Sequence, residues 1–363
     1  MNYRRIYVIA EAGVNHNGDM DLAMKLIDAA VQAGADAIKF QTFKTKNLVC
    51  VDAPKARYQN ESAENRESQF AMLKRLELTE AAHFQLMQYC AEKGIDFLST
   101  PFDLPSLSFL VDRLHLSCLK ISSGDITNGP LLLAAAKRGH KIILSTGIST
   151  LSEIERALSV LAFGYIGDKQ ETSIENFERA YCSSEGQASL MEKVVLLHCT
   201  TEYPAPFADV NLRAMDTLRN AFGLAVGYSD HTCGIAIPIA AAARGAQVIE
   251  KHFTMDRTLP GPDHKASLEP QELMQMIQAV RQVEDGLGTA LKRPVPSEIE
   301  NRHIARKSLV ASRPIQKGES FSCDNISSKR PGNGLSPMFY WNVIGKKAKR
   351  GYETDESLSA EEV

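Results

Sequence analysis

The sequence has 363 residues, 44% of them hydrophobic, which is enough for a large domain with a second, smaller one. Its formal net charge of −3 excludes the strong positive field that binding to nucleic acid or an anionic membrane surface requires. The longest apolar stretch, residues 235–243, is too short to span a membrane. Seven scattered cysteines without a CxxC motif are typical of reduced thiols, so we expect a cytoplasmic protein.

Short runs rich in β-branched residues alternate along the chain with amphipathic segments. The runs lie at residues 6–10, 37–40, 97–99, 119–122, 141–144, 194–197, 224–226 and 247–249, and the helical patterns include 20–33, 80–93, 152–162, 236–244 and 271–283. Eight such units predict parallel strands with right-handed crossovers, closed into a (β/α)₈ TIM barrel. A doubly wound open sheet is the alternative, but residues 11–18 lack its GxGxxG spacing.

Two connections in the predicted barrel are long. Residues 42–78 follow the second strand, on the face where barrel active sites form. Residues 164–192 are polar and precede a strand, so we expect a structural loop on the opposite face. After residue 286 the alternation ends. The pattern predicts a barrel at residues 1–286, a linker at 287–303 and a small second domain at 304–363.

Polar residues follow the end of every predicted strand. In chain order they are Glu11; Lys39 and Gln41; Ser99 and Thr100; Lys120 and Ser123; Ser145 and Thr146; His198, Thr200 and Tyr203; Ser229, Asp230 and His231; Glu250 and His252. Because the carboxyl ends of barrel strands meet at one rim, we expect these side chains to form a single site. Helix capping explains a serine or threonine at one or two ends, but not this whole set.

Lysines at two strand ends favour an anionic substrate. Lys39 and Lys120 would supply positive charges, and nearby hydroxyl and backbone N–H groups would complete a phosphate or carboxylate site. A lysine that forms a Schiff base with its substrate is the alternative.

Two histidines end adjacent strands and are candidates for a shared metal. His231 and His252 would leave positions open for water and substrate on a divalent ion such as Mn²⁺ or Mg²⁺. Each could instead be a hydrogen-bonded residue of the rim. His198 is expected in the core or just behind the site residues, because Cys199 and Thr200 intervene before the rim, and His16, in an Asn-His-Asn-Gly turn, has either a structural or a site role.

Taken in order, the motifs of this chain resemble those of the bacterial sialic acid synthases. They are EAGVNHNG (11–18), KFQT (39–42), STPF (99–102), KISSG (120–124), LSTG (144–147), HCT (198–200), YSDHT (228–232), EKHFT (250–254), GPDH (261–264) and KRPGNG (329–334). The legionaminate and pseudaminate synthases share most of this set. The resemblance covers nearly the whole chain and implies a TIM barrel with a small C-terminal antifreeze-like (SAF) domain.

The resemblance implies a role for each matching position. Glu11 matches a carboxylate beside the reacting carbons, and His231 and His252 match two metal ligands. The positions that match contacts to phosphoenolpyruvate are Lys39, Thr100, Lys120, Ser123, Ser145 and Ser229. The positions that match contacts to the acetamido sugar are Gln41, Tyr203, Asp263 and Arg330. Arg330 is further implied to enter the barrel of the partner subunit in a domain-swapped homodimer.

The implied function is that of an N-acetylneuraminate synthase, which condenses phosphoenolpyruvate with N-acetylmannosamine in a metal-dependent reaction and releases phosphate by C–O cleavage. The alternative within the family is an N,N'-diacetyllegionaminate synthase, which uses 2,4-diacetamido-2,4,6-trideoxy-mannose. Thr201, where some members have asparagine, and Asp125, where glutamate is common, leave the sugar open. More remote alternatives are a metal-dependent sugar-phosphate aldolase or isomerase and a non-catalytic saccharide-binding barrel.

Overall fold

The computed structural model describes residues 5–55, 68–167 and 170–362. The chain divides into two compact units, Met1–Gly288 and Thr289–Val363. Each unit has its own cluster of buried hydrophobic residues. Among the described residues, no helix is both long and apolar enough to cross a membrane.

Parallel strands form the sheet of the first unit. They are β1 (Tyr7–Gly13), β2 (Ala37–Thr42), β3 (Asp96–Pro101), β4 (Cys118–Ile121), β5 (Lys141–Ser145), β6 (Val194–Cys199), β7 (Ala225–Asp230) and β8 (Val248–His252). Hydrogen bonds connect them in the order β3-β2-β1-β8-β7-β6-β5-β4, and β3 packs beside β4. The sheet is therefore a nearly closed barrel, which confirms the predicted TIM fold.

Helices follow the strands and cover the outside of the barrel. They are α1 (Met20–Ala33), α2 (Thr45–Leu48), α3 (Gln69–Leu76), α4 (Glu80–Lys93), α5 (Leu104–Ser108), α6 (Gly129–Lys137), α7 (Leu151–Ile166), α8 (Ile174–Cys182), α9 (Ser184–Lys193), α10 (Ala214–Phe222), α11 (Ala236–Ala243) and α12 (Pro270–Leu287). Local signals set their ends. Helix α1 begins where the Asp19 side chain accepts two backbone N–H groups, and it ends at Gly34 in the left-handed conformation.

The prediction of a structural loop at residues 164–192 was wrong. Helix α7 continues to Ile166, and the described part of the connection then forms α8 and α9. Ser173 and Ser183 cap these two helices through their side chains. Helix α8 is amphipathic, since Phe177 and Tyr181 pack against the core beside the buried Ala180, so its helical periodicity was present in the sequence and was overlooked. Helix α9 is polar except for Gly186 and Leu190, so its periodicity is weak. In the other long connection, α2 and α3 form on either side of residues 56–67, which lie outside the described residues.

Inside the barrel, a layer of apolar side chains lies beneath a layer of polar ones. The apolar layer consists of Ile9, Ala37, Leu98, Ile143, Val195, Leu197 and Val248, with Tyr7, Cys118 and Ala225 packed against it. Two residues further along their strands, Glu11, Lys39 and Glu250 point to the same side, because side chains alternate along a strand. Most of the strands run further than the sequence predicted, β4 being the exception, and residues near their ends carry these polar groups into the barrel.

The second unit is built from short elements around a small core. They are α13 (Pro296–Ala305), β9 (Ser308–Ala311), β10 (Ile326–Lys329) and α14 (Tyr340–Val343), with β9 and β10 antiparallel. Leu309, Phe321, Ile326, Tyr352 and Leu358 are fully or almost fully buried in this core. Most of α13 lies within the segment predicted as a linker.

Candidate active site

A cavity of about 310 Å³ opens at the carboxyl ends of the barrel strands. Twelve of the thirteen predicted site residues line it: Glu11, Lys39, Gln41, Thr100, Lys120, Ser123, Ser145, Tyr203, Ser229, His231, His252 and Asp263. The thirteenth, Arg330, is exposed and follows β10 in the second unit. The barrel thus brings together residues from all eight strands and the loops that follow them.

Two lysines and two glutamates form a buried charge network at the base of the cavity. Lys39 Nζ lies 2.7 Å from Glu11 Oε2 and 3.7 Å from Glu250 Oε2, and it donates a 3.1 Å hydrogen bond to Thr100 Oγ1. Lys120 Nζ lies 3.3 Å from Glu250 Oε1. All four charged side chains are at most 5% exposed. The positive charges are therefore held in fixed positions in a site that excludes bulk water.

Glu250 stands at the centre of this network, although the sequence analysis gave it no role. Its Oε1 accepts a 2.8 Å hydrogen bond from Ser229 Oγ and also faces Lys120. Burial alone would raise the pKa of this carboxyl, but Lys120 and Lys39 outweigh burial and lower it. Glu250 therefore remains ionised. Side chains alternate along a strand, so Glu250 and His252 lie on the same inner face of β8. This spacing in the sequence could have identified Glu250 as a residue of the site.

Glu11 behaves differently from Glu250 although both contact Lys39. Burial raises the pKa of Glu11 well above that of an ordinary carboxyl, and the negative charge of Glu250 adds to this effect. Lys39 opposes the increase without cancelling it. A carboxyl group in this condition can take up or release a proton near neutral pH, which is what a general acid or base requires.

The two histidines face each other beside Tyr203. The ring centroids of His231 and His252 are 5.5 Å apart, and the Tyr203 ring lies 4.1 Å from that of His231. His231 Nδ1 donates a 2.6 Å hydrogen bond to the carbonyl of Thr200, which leaves Nε2 as the acceptor nitrogen. Burial lowers the pKa of His231 to about 4, so the ring is neutral. Burial also holds the pKa of His252 well below its ordinary value.

Hydroxyl groups and a tight glycine turn complete the site next to the lysines. Ser123 Oγ accepts a 2.9 Å hydrogen bond from Gly147 N, while the buried Ser145 Oγ has no hydrogen-bond partner among the described residues. A Cβ atom at Gly147 would lie 2.3 Å from Thr201 Oγ1 and 2.8 Å from Cys199 Sγ. Only glycine fits this turn in the observed backbone position.

One wall of the cavity is apolar. Val14, Leu48, Met72, Leu73, Leu76 and Phe102 line it and, together with Phe43, form a small cluster of their own. Helices α2 and α3 supply four of these side chains. The sequence predicted that this connection lies on the active-site face but not that it contributes an apolar surface.

The remaining histidines lie outside the cavity. His198 faces the outside of β6 and is partly buried, and its Nε2 donates a 2.7 Å hydrogen bond to the carbonyl of Val210. His16 is fully buried, and its Nδ1 accepts a hydrogen bond from Gly18 N. Its turn therefore gives His16 the structural role rather than a place in the site.

The fold and the cavity together define a TIM-barrel enzyme whose site holds two buried lysines, two buried glutamates and two neutral histidines. A model of the NeuB family matches residues 26–292, and a model of the SAF domain matches residues 306–363. The chain therefore belongs to the NeuB family. It is a phosphoenolpyruvate-dependent nonulosonic acid synthase with a C-terminal SAF domain.

Several relatives are similar over nearly the whole chain. An N,N'-diacetyllegionaminic acid synthase from Campylobacter jejuni is 50% identical over 98% of this chain and 99% of its own length. An enzyme of the same name from Legionella pneumophila is 42% identical over 98% of this chain and 94% of its own. A solved N-acetylneuraminic acid synthetase from Leptospira borgpetersenii is 36% identical, with a TM-score of 0.65 over 82% of this chain and 90% of that one. These relatives support a synthase over the aldolase and saccharide-binding alternatives.

Proposed function

We propose that the chain is an N,N'-diacetyllegionaminate synthase, which joins phosphoenolpyruvate to 2,4-diacetamido-2,4,6-trideoxy-mannose. The observation that carries the proposal is the 50% identity, over almost the full length of both chains, to a Campylobacter jejuni enzyme of that name. Of the two sugars that the sequence motifs imply, N-acetylmannosamine was the first expectation and this sugar was the alternative. The comparisons support the alternative better.

The apolar wall of the cavity supports the same choice. The proposed sugar has a methyl group at C6 and an acetamido group at C4, where N-acetylmannosamine has hydroxyl groups. Met72 and Leu76 present an apolar surface on which the two methyl groups of that sugar can be buried. Each buried methyl or methylene group contributes about 0.8 kcal/mol, whereas a hydroxyl against the same surface would lose hydrogen bonds to water.

In the proposed reaction, the buried lysines hold the anionic groups of phosphoenolpyruvate. Carbon C3 attacks the aldehyde carbon of the open-chain sugar, and positive charge develops at C2. Water adds at C2, and the tetrahedral intermediate then loses phosphate by C–O cleavage. Glu11 lies beside Lys39 at this point of the site, so its carboxylate stabilises the positive charge and accepts the proton of the attacking water.

We further propose that His231 and His252 bind a divalent cation, Mn²⁺ or Mg²⁺. The residues fit such an ion. His231 offers Nε2, and His252 Nδ1 is buried with no hydrogen-bond partner among the described residues. No group of three or more His, Cys, Asp or Glu side chains in the described ranges could hold a metal, so water and substrate would supply the other ligands. When bound, the cation would act as a Lewis acid on the sugar aldehyde.

The test of the sugar offers both acceptors, each with phosphoenolpyruvate, to the same enzyme preparation. We expect kcat/KM for 2,4-diacetamido-2,4,6-trideoxy-mannose to exceed that for N-acetylmannosamine, measured as phosphate released and 2-keto acid formed. Replacing Met72 with Gln should reduce this difference in kcat/KM, because it should lower kcat/KM for 2,4-diacetamido-2,4,6-trideoxy-mannose and leave that for N-acetylmannosamine unchanged. A preference for N-acetylmannosamine in the unmodified enzyme would contradict the proposal.

The test of the metal removes it and then replaces it. We expect EDTA to abolish activity and Mn²⁺ or Mg²⁺ to restore it. His231→Ala and His252→Ala should each lose activity and Mn²⁺ binding while the barrel remains folded, because residues of the rim contribute little to its core packing. His198→Asn serves as the control, since that histidine lies on the outer face of β6. Full activity of a metal-free sample would contradict this part of the proposal.

A further inference from the structure

A buried ion pair connects β7 and β8 behind the two histidines. Asp230 and Lys251 are neighbours in the register of the two strands, each one residue before a histidine. Lys251 Nζ lies 2.5 Å from Asp230 Oδ2, and both side chains are 0% exposed. Neither residue lines the cavity. Any effect of the pair on the site is therefore transmitted through its neighbours.

The same pair holds the turn that contains His231. Lys251 Nζ donates a second hydrogen bond to the carbonyl of Thr232. The Asp230 carboxylate accepts hydrogen bonds from Thr232 N at 3.1 Å and from Thr232 Oγ1 at 3.0 Å. The residues on both sides of His231 are thus attached to one lysine side chain, and that lysine directly precedes His252.

Stability alone does not account for a charged pair at this position. Removing two charges from water has a large free-energy cost. A protein with apolar side chains of similar volume in their place is often as stable or more stable. An apolar side chain, however, could not hold the carbonyl of Thr232, which lies beyond the end of β7. What the pair adds is therefore a defined geometry at the two strand ends.

We propose that Lys251 and Asp230 are positioning residues that fix the ends of β7 and β8 so that His231 and His252 converge on one cation. This inference rests on the metal site proposed above. Hydrogen bonds from outside the pair complete the arrangement, since Thr200 O accepts from His231 Nδ1 and His252 O accepts from Leu268 N. Without the pair, two hydrogen bonds from other described segments would still reach His231, namely His231 Nδ1 to the carbonyl of Thr200 and Ala205 N to the carbonyl of His231.

The test separates positioning from stability in the full-length, metal-free protein. Mn²⁺ affinity and the thermal midpoint are measured for Lys251→Met, Asp230→Asn and the double variant Lys251→Met/Asp230→Leu. Each single variant leaves a buried group without its partner and should lower the midpoint. The double variant removes both charges and should recover it. We expect the double variant still to bind Mn²⁺ about 10- to 100-fold more weakly than the wild type. Recovery of both properties would overturn the proposal.

Arg281→Met is the matched control. Arg281 donates to Asp36 Oδ2 and to the carbonyl of Ile6, each at 2.6 Å, so it also joins a carboxylate and a backbone carbonyl. That pair lies at the amino ends of β1 and β2, away from the histidines. We expect a lower midpoint with unchanged Mn²⁺ affinity. An equal loss of Mn²⁺ affinity in this control would show that destabilisation explains the effect, and the proposal would fail.

Thr232→Val decides the question if the double variant does not fold. This change removes one hydrogen bond to Asp230 and keeps the ion pair, so we expect Mn²⁺ binding to weaken about threefold to tenfold by loss of one such bond. Unchanged Mn²⁺ affinity in this variant would contradict the proposed positioning role of the Lys251–Asp230 pair. Failure of the wild type itself to bind Mn²⁺ would instead remove the proposed metal site, which keeps the two failures distinct.

Discussion

At the scale of single residues, the charge network explains why Lys39 and Lys120 are not equivalent. Lys39 forms ion pairs with both Glu11 and Glu250, whereas Glu250 is the one ion-pair partner of Lys120 among the residues that the structure describes. Loss of Lys39 leaves Glu11 without its ion-pair partner, and loss of Lys120 leaves Glu250 still paired with Lys39. The place of both lysines in the site was predictable, because each stands near the end of an apolar run. Their common contact with Glu250 was not predictable from the sequence.

We predict that Lys39→Met and Lys120→Met each raise KM for phosphoenolpyruvate by roughly 10- to 100-fold, with a smaller effect on the sugar. Each change removes charge-assisted hydrogen bonds to the anion worth about 1.5–3 kcal/mol. Lys39→Met should also unfold at a lower temperature than Lys120→Met. Steady-state kinetics and thermal unfolding check both statements, with the exposed Lys74→Met as control.

Borohydride trapping of the wild-type enzyme distinguishes anion binding from Schiff-base chemistry. Borohydride treatment in the presence of the sugar should leave Lys39 and Lys120 unmodified, as mass spectrometry would show. A covalent adduct at either lysine would mean that the lysine is a nucleophile and that the anion site has been misassigned.

At the scale of single elements, the turn after β5 is the most tightly constrained part of the cavity. Gly147 donates its N–H to Ser123 Oγ and leaves no room for a Cβ atom beside Thr201 and Cys199. The sequence shows only an LSTG motif at this point. The need for glycine there comes from β6 and the residues that follow it, which bring Cys199 and Thr201 against the turn.

We predict that Gly147→Ala lowers kcat/KM for phosphoenolpyruvate by about 100-fold, because the added methyl must displace the turn that carries Ser145, and small displacements at a reacting site have effects of this size. Adding Thr201→Ala should recover part of the loss by removing the closest contact. Gly129→Ala is the control, since a Cβ atom there would meet nothing within 4 Å. Wild-type kinetics in Gly147→Ala would refute the steric argument.

At the scale of the whole molecule, the two units carry different parts of the predicted site. Twelve predicted residues line the barrel cavity, while Arg330 lies on an exposed turn of the second unit. Ser308 braces this turn by donating from Oγ to the carbonyl of Pro331 and accepting from Gly334 N. These two hydrogen bonds hold the turn that carries the exposed Arg330.

We predict that Arg330 completes the site of a partner subunit in a homodimer. His231→Ala and Arg330→Ala should each be inactive alone. Co-expressed, they should form heterodimers with one wild-type site and one doubly altered site, so random pairing restores about a quarter of the sites. The control mixes His231→Ala with His252→Ala, which stays inactive in either arrangement. An inactive first mixture with verified heterodimers would place Arg330 in its own subunit's site.

The sequence by itself determined the barrel and the polar residues of its rim. A strand needs only a short apolar run, and side-chain alternation then fixes which residues enter the barrel, so Glu11, Lys39 and His252 follow from local pattern. Helix α8 was missed although Phe177, Ala180 and Tyr181 recur at helical spacing, whereas the apolar stripe of α9 is too sparse to distinguish it from a polar loop.

Only the tertiary structure decided which polar residues work together. The contact of Glu250 with both lysines, the Lys251–Asp230 pair and the apolar wall from α2 and α3 all join segments that are distant in the chain. The two glutamates then differ in pKa. Glu250 faces two lysines and stays ionised, whereas burial raises the pKa of Glu11. These properties depend on distance and on exclusion of water, and neither exists until the barrel closes.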